Sequence, residues 1–411
     1  MAHKTSNPSC SIKKENFPIN KIPFQQFLSK STLFRFFKFG SNCNGHADHP
    51  FSGATCDLKR KVMKVDQNES QWYGILMSQL FESGYSFLQS KFDKKKSTCS
   101  DEYMTALKTL IKFFEEKEIH EKNIQNALEK MKSTENKESV LVMALAEHLL
   151  GKLSPGQQYV VDSRIKEKGN NCTERINNKC HCGCDTEISF GATGIGNVDV
   201  WHGFVDIMMT SANHEPESTA SVYLALNDDG PSRNKKMKTS DKNEEDNDNS
   251  LSDCIKESCL NKVQDKATAE TVVFSLAYQI TNPGSARFIP HIIICPNEFY
   301  IVMYEPVHDV LVWSSEFPLI SQPDFKLQGV SIIALWMVLH YKLFCNRVEE
   351  LFNDVSEIKA DFLNQLDVEN LDIYKNKLNI GVQSFGSAPH INLVHSLREV
   401  DFVFPKLKLR K

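Results

Sequence analysis

The stretch that decides the fold runs from Gly196 to Asn227, GNVDVWHGFVDIMMTSANHEPESTASVYLALN. Its apolar residues alternate or fall in short blocks, a pattern that suits half-buried strands better than helices. Residues 197–201, 204–209 and 221–226 read as strands, and 187–190 as a further one just upstream. Gly191, Gly194, Gly196 and Gly203 punctuate them as turn residues. Asp199 and Asp206 each sit among apolar neighbours. Burying a bare carboxylate is costly, so each needs a partner or a metal. Two carboxylates on adjacent strands can hold Mg²⁺ with waters and a phosphate oxygen, the arrangement used in phosphodiester cleavage. The plainer alternative is that both cap strand edges or pair with an arginine or with His202.

Downstream, residues 227–266 are so polar (DDGPSRNKKMKTSDKNEEDNDNS and similar) that they cannot bury enough apolar surface to offset ordering entropy. This predicts a disordered insert. Its RNKKMK run, with Lys235 and Lys236, is either a phosphate-contacting or nuclear-targeting patch or simply solvated charge. A helix is expected over 267–280, then an antiparallel meander over 288–295, 298–304 and 309–313. The apolar run 329–341 is too short for a bilayer, which needs roughly 20 apolar residues, and reads as a buried helix extending to about 345. Amphipathic helix is expected beyond it, in a C-terminal segment 346–378, followed by a basic tail over 379–411.

Upstream, residues 68–167 read as an all-helical region, including a short helix begun by Ser154-Pro155 and running to Val161. Residues 1–67 read as a flexible segment with one apolar island, 24–39, suited to a short docking helix. The fold class is therefore α/β: a mixed sheet flanked by helices over 168–345, preceded by the helical region.

The 411 residues carry a formal net charge of −4, so any nucleic-acid contact needs a local patch. The start of the chain has no apolar signal-like stretch, and the cysteine spacing suits no secreted disulfide scaffold. These features predict an intracellular protein, nuclear or cytoplasmic, with no membrane association. They leave the oligomeric state open.

Two clusters carry metal-ligand chemistry. Cys172, Cys180, Cys182 and Cys184 (NCTERINNKCHCGCD) can offer four thiolates to Zn²⁺, although C-x-C-x-C is tighter than the usual zinc knuckle. Cys43, His46, His49 and Cys56 offer suitable atoms in an otherwise flexible region. GATGIGN lacks the lysine and serine of a phosphate loop and fits a hairpin.

The segment from Asp199 to Asp206, with the order of elements around it, resembles the PD-(D/E)XK (restriction-endonuclease-like) superfamily. It is also similar to invertebrate proteins with a GxVDVWHG-type segment followed by a charged insert. The resemblance covers roughly residues 138–305 and implies a helix, a three-stranded meander, a helix and a further strand. An Asp would stand on one strand and (E/D)-x-K on the next. With Asp199 as the first acid, Asp206-Ile207-Met208 takes the second motif, with methionine in place of lysine. With Asp206 as the first acid, the second motif falls over 221–226, which has neither acid nor lysine. The first alignment keeps two carboxylates and is preferred here.

The resemblance implies a Mg²⁺-dependent nuclease or a degenerate relative acting on or binding nucleic acid. Asp199 and Asp206 would bind the metal, Glu147 or Glu270 would assist, and His202, Lys235 and Lys236 would contact nucleic acid. The competing expectation is a catalytically silent scaffold with protein partners. The nuclease expectation requires Asp199 and Asp206 to converge.

Overall fold

A computed structural model describes residues 22–66, 69–93, 100–132, 137–165, 178–210, 218–225, 249–284, 286–321, 323–352 and 355–385. Helix α1 (Phe24–Ser29) leads into strand β1 (Leu33–Lys38), and β2 (Lys59–Arg60) follows. Four helices come next: α2 (Glu82–Phe92), α3 (Asp101–Glu115), α4 (Lys117–Met131) and α5 (Lys137–Leu145), the last continued by a π-turn at Ala146–Leu150. Then come β3 (Gln158–Asp162), β4 (Phe190–Gly191), β5 (Gly194–Gly196), β6 (Trp201–Phe204), β7 (Ile207–Thr210) and β8 (Ser218–Leu224). Helix α6 (Asn249–Thr281) precedes β9 (Ile289–Ile294), β10 (Glu298–Glu305) and β11 (Val310–Ser314). Helices α7 (Gly329–Leu339) and α8 (Val368–Asn376) and strand β12 (Asn379–Val382) complete the described chain.

The fold is α/β with mixed sheets. The large sheet runs β2-β1-β11-β10-β9-β8-β7-β3-β4. Strands β3, β7 and β8 form an antiparallel meander, with Val161 opposite Ile207 and Ile207 opposite Val222. Strand β9 then returns parallel to β8, pairing Ser221 with His291, and this reversal requires the long crossover through α6. A small sheet, β12-β5-β6 with His49–Pro50 at its edge, lies across α6. Because α6 packs against both sheets, residues 267–278 are buried on every side. Helix α7 is equally enclosed from Val330 to Leu339, and its Trp336 Nε1 donates to Ala106 O of α3 at 2.8 Å. Each such side chain contributes about 1.5–3 kcal/mol by leaving water. No single helix among the described residues is long and apolar enough to cross a membrane.

Several boundaries differ from the sequence expectation. The island 24–39 is not one docking helix: α1 ends at Ser29 and β1 pairs with β11, Phe34 opposite Ser314. Aromatic residues on alternate positions of a pleat are satisfied by a long-range partner that local pattern cannot reveal. Residues 69–72 and 74–76 are strands rather than the start of a helix, and β3 replaces the helix expected up to Val161. There Gly156 (φ +69°) and Gln157 (φ +55°) break the helical path, and the β-branched Val160 and Val161 extend into the sheet.

The expected insert over 227–266 is also shorter than its polarity implies. Residues 226–248 lie outside the described set, but α6 begins at Asn249. From Asn249 to Thr281 there is no glycine or proline, so a helix nucleated by the buried half can propagate through the polar half. The helix expected over 346–378 is broken. It resolves into Val348–Leu351, two 3₁₀ turns and α8, whose N-cap Asp367 accepts from Asn370 N at 2.8 Å.

Candidate functional site

The two aspartates do not converge. Asp199 is exposed on the turn between β5 and β6, its amide donating to Asn197 Oδ1 at 3.0 Å. Gly196 (φ +106°) opens that turn, so residues 197–200 are not the strand their alternation suggests. Asp206 lies at the opposite end of β6. The four-residue strand between them spans roughly 13 Å at about 3.3 Å per residue. The alignment that makes Asp199 the first acid is therefore corrected: the acid seated at the head of a meander strand is Asp206.

Asp206 is locked into the sheet. Its Oδ2 accepts from Leu224 N at 2.7 Å, its amide donates to Val222 O at 3.2 Å, and its carbonyl accepts from Asp162 N at 3.0 Å. Burial pushes its carboxyl up to about 7; the Lys266 charge pulls it down, while Glu138 and Glu270 push it up. Lys266 stands near the middle of α6, and its Nζ lies 3.8 Å from the Tyr223 ring centroid and 3.8 Å from Glu270 Oε1. Burial alone would lower the Lys266 pKa, but Glu270, Tyr223, Asp206 and Glu138 together hold it above the ordinary lysine range.

Behind this half-buried rim, Glu270 Oε2 lies 3.2 Å from His291 Nε2, and His291 Nδ1 lies 2.7 Å from Ser221 Oγ. Serine, imidazole and carboxylate stand in line as in a nucleophile triad. All three are fully enclosed, however, so no substrate reaches Ser221. The row is a buried polar network that ties β8, β9 and α6 together.

The other expected residues serve elsewhere. Glu147 accepts from Tyr159 OH at 2.8 Å and pairs with Lys152 Nζ at 2.5 Å, so the helix glutamate that bears on Asp206 is Glu138. His202 Nδ1 lies 2.9 Å from Val200 O and 3.8 Å from Asp48 Oδ1, which makes it part of the hairpin. Lys235 and Lys236 lie outside the described residues. Cys43 and Cys56 are buried in the core, where Cys56 Sγ donates to Asp265 O at 3.3 Å, while His46 is exposed; the four residues of that cluster do not gather.

The second centre is a compact ligand set. His148 Nε2 and the Sγ atoms of Cys180, Cys182 and Cys184 all lie within 4.8 Å of one another, a set able to hold a metal such as Zn²⁺. Among the described residues no other group of three or more His, Cys, Asp or Glu side chains does this. A tight loop presents the cysteines: Cys180 N donates to Thr186 O at 2.8 Å, Ile188 N donates to Asn178 O at 2.7 Å, and Gly183 (φ +92°) and Asp185 (φ +61°) turn the chain. The π-turn in α5 brings His148 to meet them. Cys172, expected as the fourth ligand, lies outside the described residues, and histidine occupies the fourth place here. Burial lowers the His148 pKa to about 4, leaving a neutral imidazole.

No protein-family model, no curated protein and no solved structure matches this chain.

Proposed function

We propose that the chain is a divergent nuclease-fold protein that engages nucleic-acid phosphates beside Asp206 and Lys266 and has lost metal-assisted hydrolysis. The order α5, β3, β7, β8, α6, β9 follows the helix, meander, helix and strand that the PD-(D/E)XK resemblance implies. The observation that carries the reading is the juxtaposition of Asp206 with Lys266 and Glu270 of the following helix. Lysine is absent from the strand motif, but Lys266 of α6 stands close enough for its charge to act on Asp206.

The departures point to binding rather than cleavage. Strand β8 offers Ser221 and Tyr223 at alternate positions where the motif would carry an acid and a lysine. Around Asp206 no three carboxylate or imidazole groups among the described residues come within 4.8 Å, which does not fit a resident Mg²⁺. We therefore route no chemical step through a metal. Lys266, backed by the Tyr223 ring, presents a fixed cation to a phosphate oxygen. Arg164, stacked on Phe204 at 3.3 Å, is already paired through Nε and Nη2 with the buried Asp162 Oδ2, so Lys266 is the cation on which the reading rests. With its carboxyl near 7, Asp206 is partly protonated at neutral pH and can donate to a phosphate rather than repel it.

Fluorescence anisotropy with labelled single- and double-stranded DNA and RNA at low salt tests this reading. Saturable binding is expected, weakened roughly 3- to 10-fold by Lys266→Ala and unchanged by Asp199→Ala. No plasmid cleavage is expected in Mg²⁺ or Mn²⁺. Absence of binding to every nucleic acid would favour the competing reading, a protein-interaction scaffold, which the net charge of −4 also suits.

A further inference from the structure

We propose that His148, Cys180, Cys182 and Cys184 form a structural zinc site that clamps the end of α5 to the loop feeding the outer edge of the large sheet. The argument is independent of any nucleic-acid role and begins from distances. A tetrahedral Zn²⁺ with Zn–S of about 2.3 Å sets its sulfur atoms roughly 3.8 Å apart. Here Cys180 Sγ lies 3.3 Å from Cys182 Sγ and 3.8 Å from His148 Nε2, and Cys182 Sγ lies 3.0 Å from His148 Nε2. These separations are those of ligands around a common centre, reached by small side-chain adjustments. They arise although the contributing residues are up to 36 positions apart (184 − 148).

The donor set and its surroundings select the metal and its role. Three thiolates and one imidazole suit Zn²⁺ and not Mg²⁺ or Ca²⁺, which take oxygen. Four protein ligands complete a tetrahedron and leave no open position for water, which makes the site structural and not catalytic. His148, Cys180 and Cys182 are buried, and Cys184 is half-buried. The loop is braced by Cys184 Sγ against Thr186 Oγ1 at 3.3 Å and by Asn126 Nδ2 donating to Cys182 O at 3.4 Å.

Topology then says what the clamp holds. The loop leads to β4, which pairs with β3 at Val161 and Phe190, next to the meander strand that Asp206 heads. His148 lies near the end of the helix that begins beside Glu138, whose charge reaches Asp206. Metal would thus fix the register between α5 and the β3 edge.

The test uses the full chain. Elemental analysis after dialysis should find about one zinc per chain, retained in Cys172→Ser and Cys345→Ser and lost in His148→Ala and Cys182→Ser. Substitution of Co²⁺ into the wild-type protein should give thiolate-to-metal charge transfer and the intense visible bands of a tetrahedral site, and X-ray absorption should count three sulfurs and one nitrogen. These two readouts need no variant to fold. Zinc content unaffected by His148→Ala but lost in Cys172→Ser would overturn the ligand set. Substoichiometric zinc together with an octahedral cobalt spectrum would overturn the site.

Discussion

The centre at His148 and the centre at Asp206 are built in opposite ways. At His148 and the three cysteines, one imidazole and three thiols gather within 4.8 Å of one another, and the loop around them has its own hydrogen bonds. At Asp206 the groups are of mixed sign and are strung out in a row, from Ser221 through His291 and Glu270 to Lys266, with no common centre. The first arrangement could hold a metal ion such as Zn²⁺. The second is an ionic row in which the Glu270 carboxylate lies within 3.8 Å of Lys266 and 3.2 Å of His291, while Glu138 and Glu270 both push the Asp206 carboxyl up. Convergence, more than the presence of ligand-type residues, separates a metal site from a satisfied core.

The comparison can be broken most sharply at the thiol centre. Cys182→Ser, or treatment with a strong chelator, is expected to lower the melting temperature by on the order of 10 °C, because a structural metal contributes folding free energy directly. Calorimetry with and without chelator measures this. A chelator-insensitive melting temperature would remove the distinction between the centres. At the other centre, Glu270→Ala should destabilise by about 3–5 kcal/mol, since it leaves buried groups without the carboxylate that compensates them. Urea titration reads this out, and a loss below about 1 kcal/mol would show that His291 and Ser221 need no third partner.

A third, smaller effect concerns pH. Asp206 has a folded pKa of about 7, above its unfolded value of about 3.8, so the native state holds the extra proton between those values. Its favourable contribution is complete below about pH 4 and is lost as pH rises through 7. Asp206→Asn should therefore gain on wild type by a few kcal/mol at most between pH 6 and pH 8. Urea midpoints at both pH values check the sign, and an equal or reversed gap would place the Asp206 charge in a better-compensated site. Asp199→Ala, on an exposed turn, should change stability by less than about 0.5 kcal/mol in the same titration.

Sequence reading reached the strands of the second half closely. The expected meander over 288–313 is β9, β10 and β11, because long apolar blocks separated by Pro296-Asn297 and Pro306-Val307-His308 leave few alternatives. It could not see β1, which pairs with β11 about 280 residues (314 − 34) further along the chain. It also misread residues 197–200, where a turn carries the same alternation as a strand. At the His148 centre the C-x-C-x-C run is legible in the sequence, but its histidine is not. His148 sits in ESVLVMALAEHLL, where one histidine on an apolar helix reads as core, and only the π-turn aims it at the loop. Lys266 was hidden in a stretch whose polarity suggests disorder, and Glu138 at the opening of α5 looked like any first-turn acid. In each case the missing information was three-dimensional direction, which composition and spacing do not carry.

The pairing of β1 with β11 has a consequence for how the protein is made. Phe34 must wait for Ser314, so 280 residues (314 − 34) have to leave the ribosome before the first strand can take its place in the sheet. Until then β1 can pair only with its near neighbours, Phe37 opposite Arg60 and Phe34 opposite Ile75, and the open side of β11 is an edge to which another chain can add. The entropy of closing so long a loop also delays this step in refolding. In pulse-labelled exchange during refolding, the β1 amides should therefore acquire protection after those of β9 and β10.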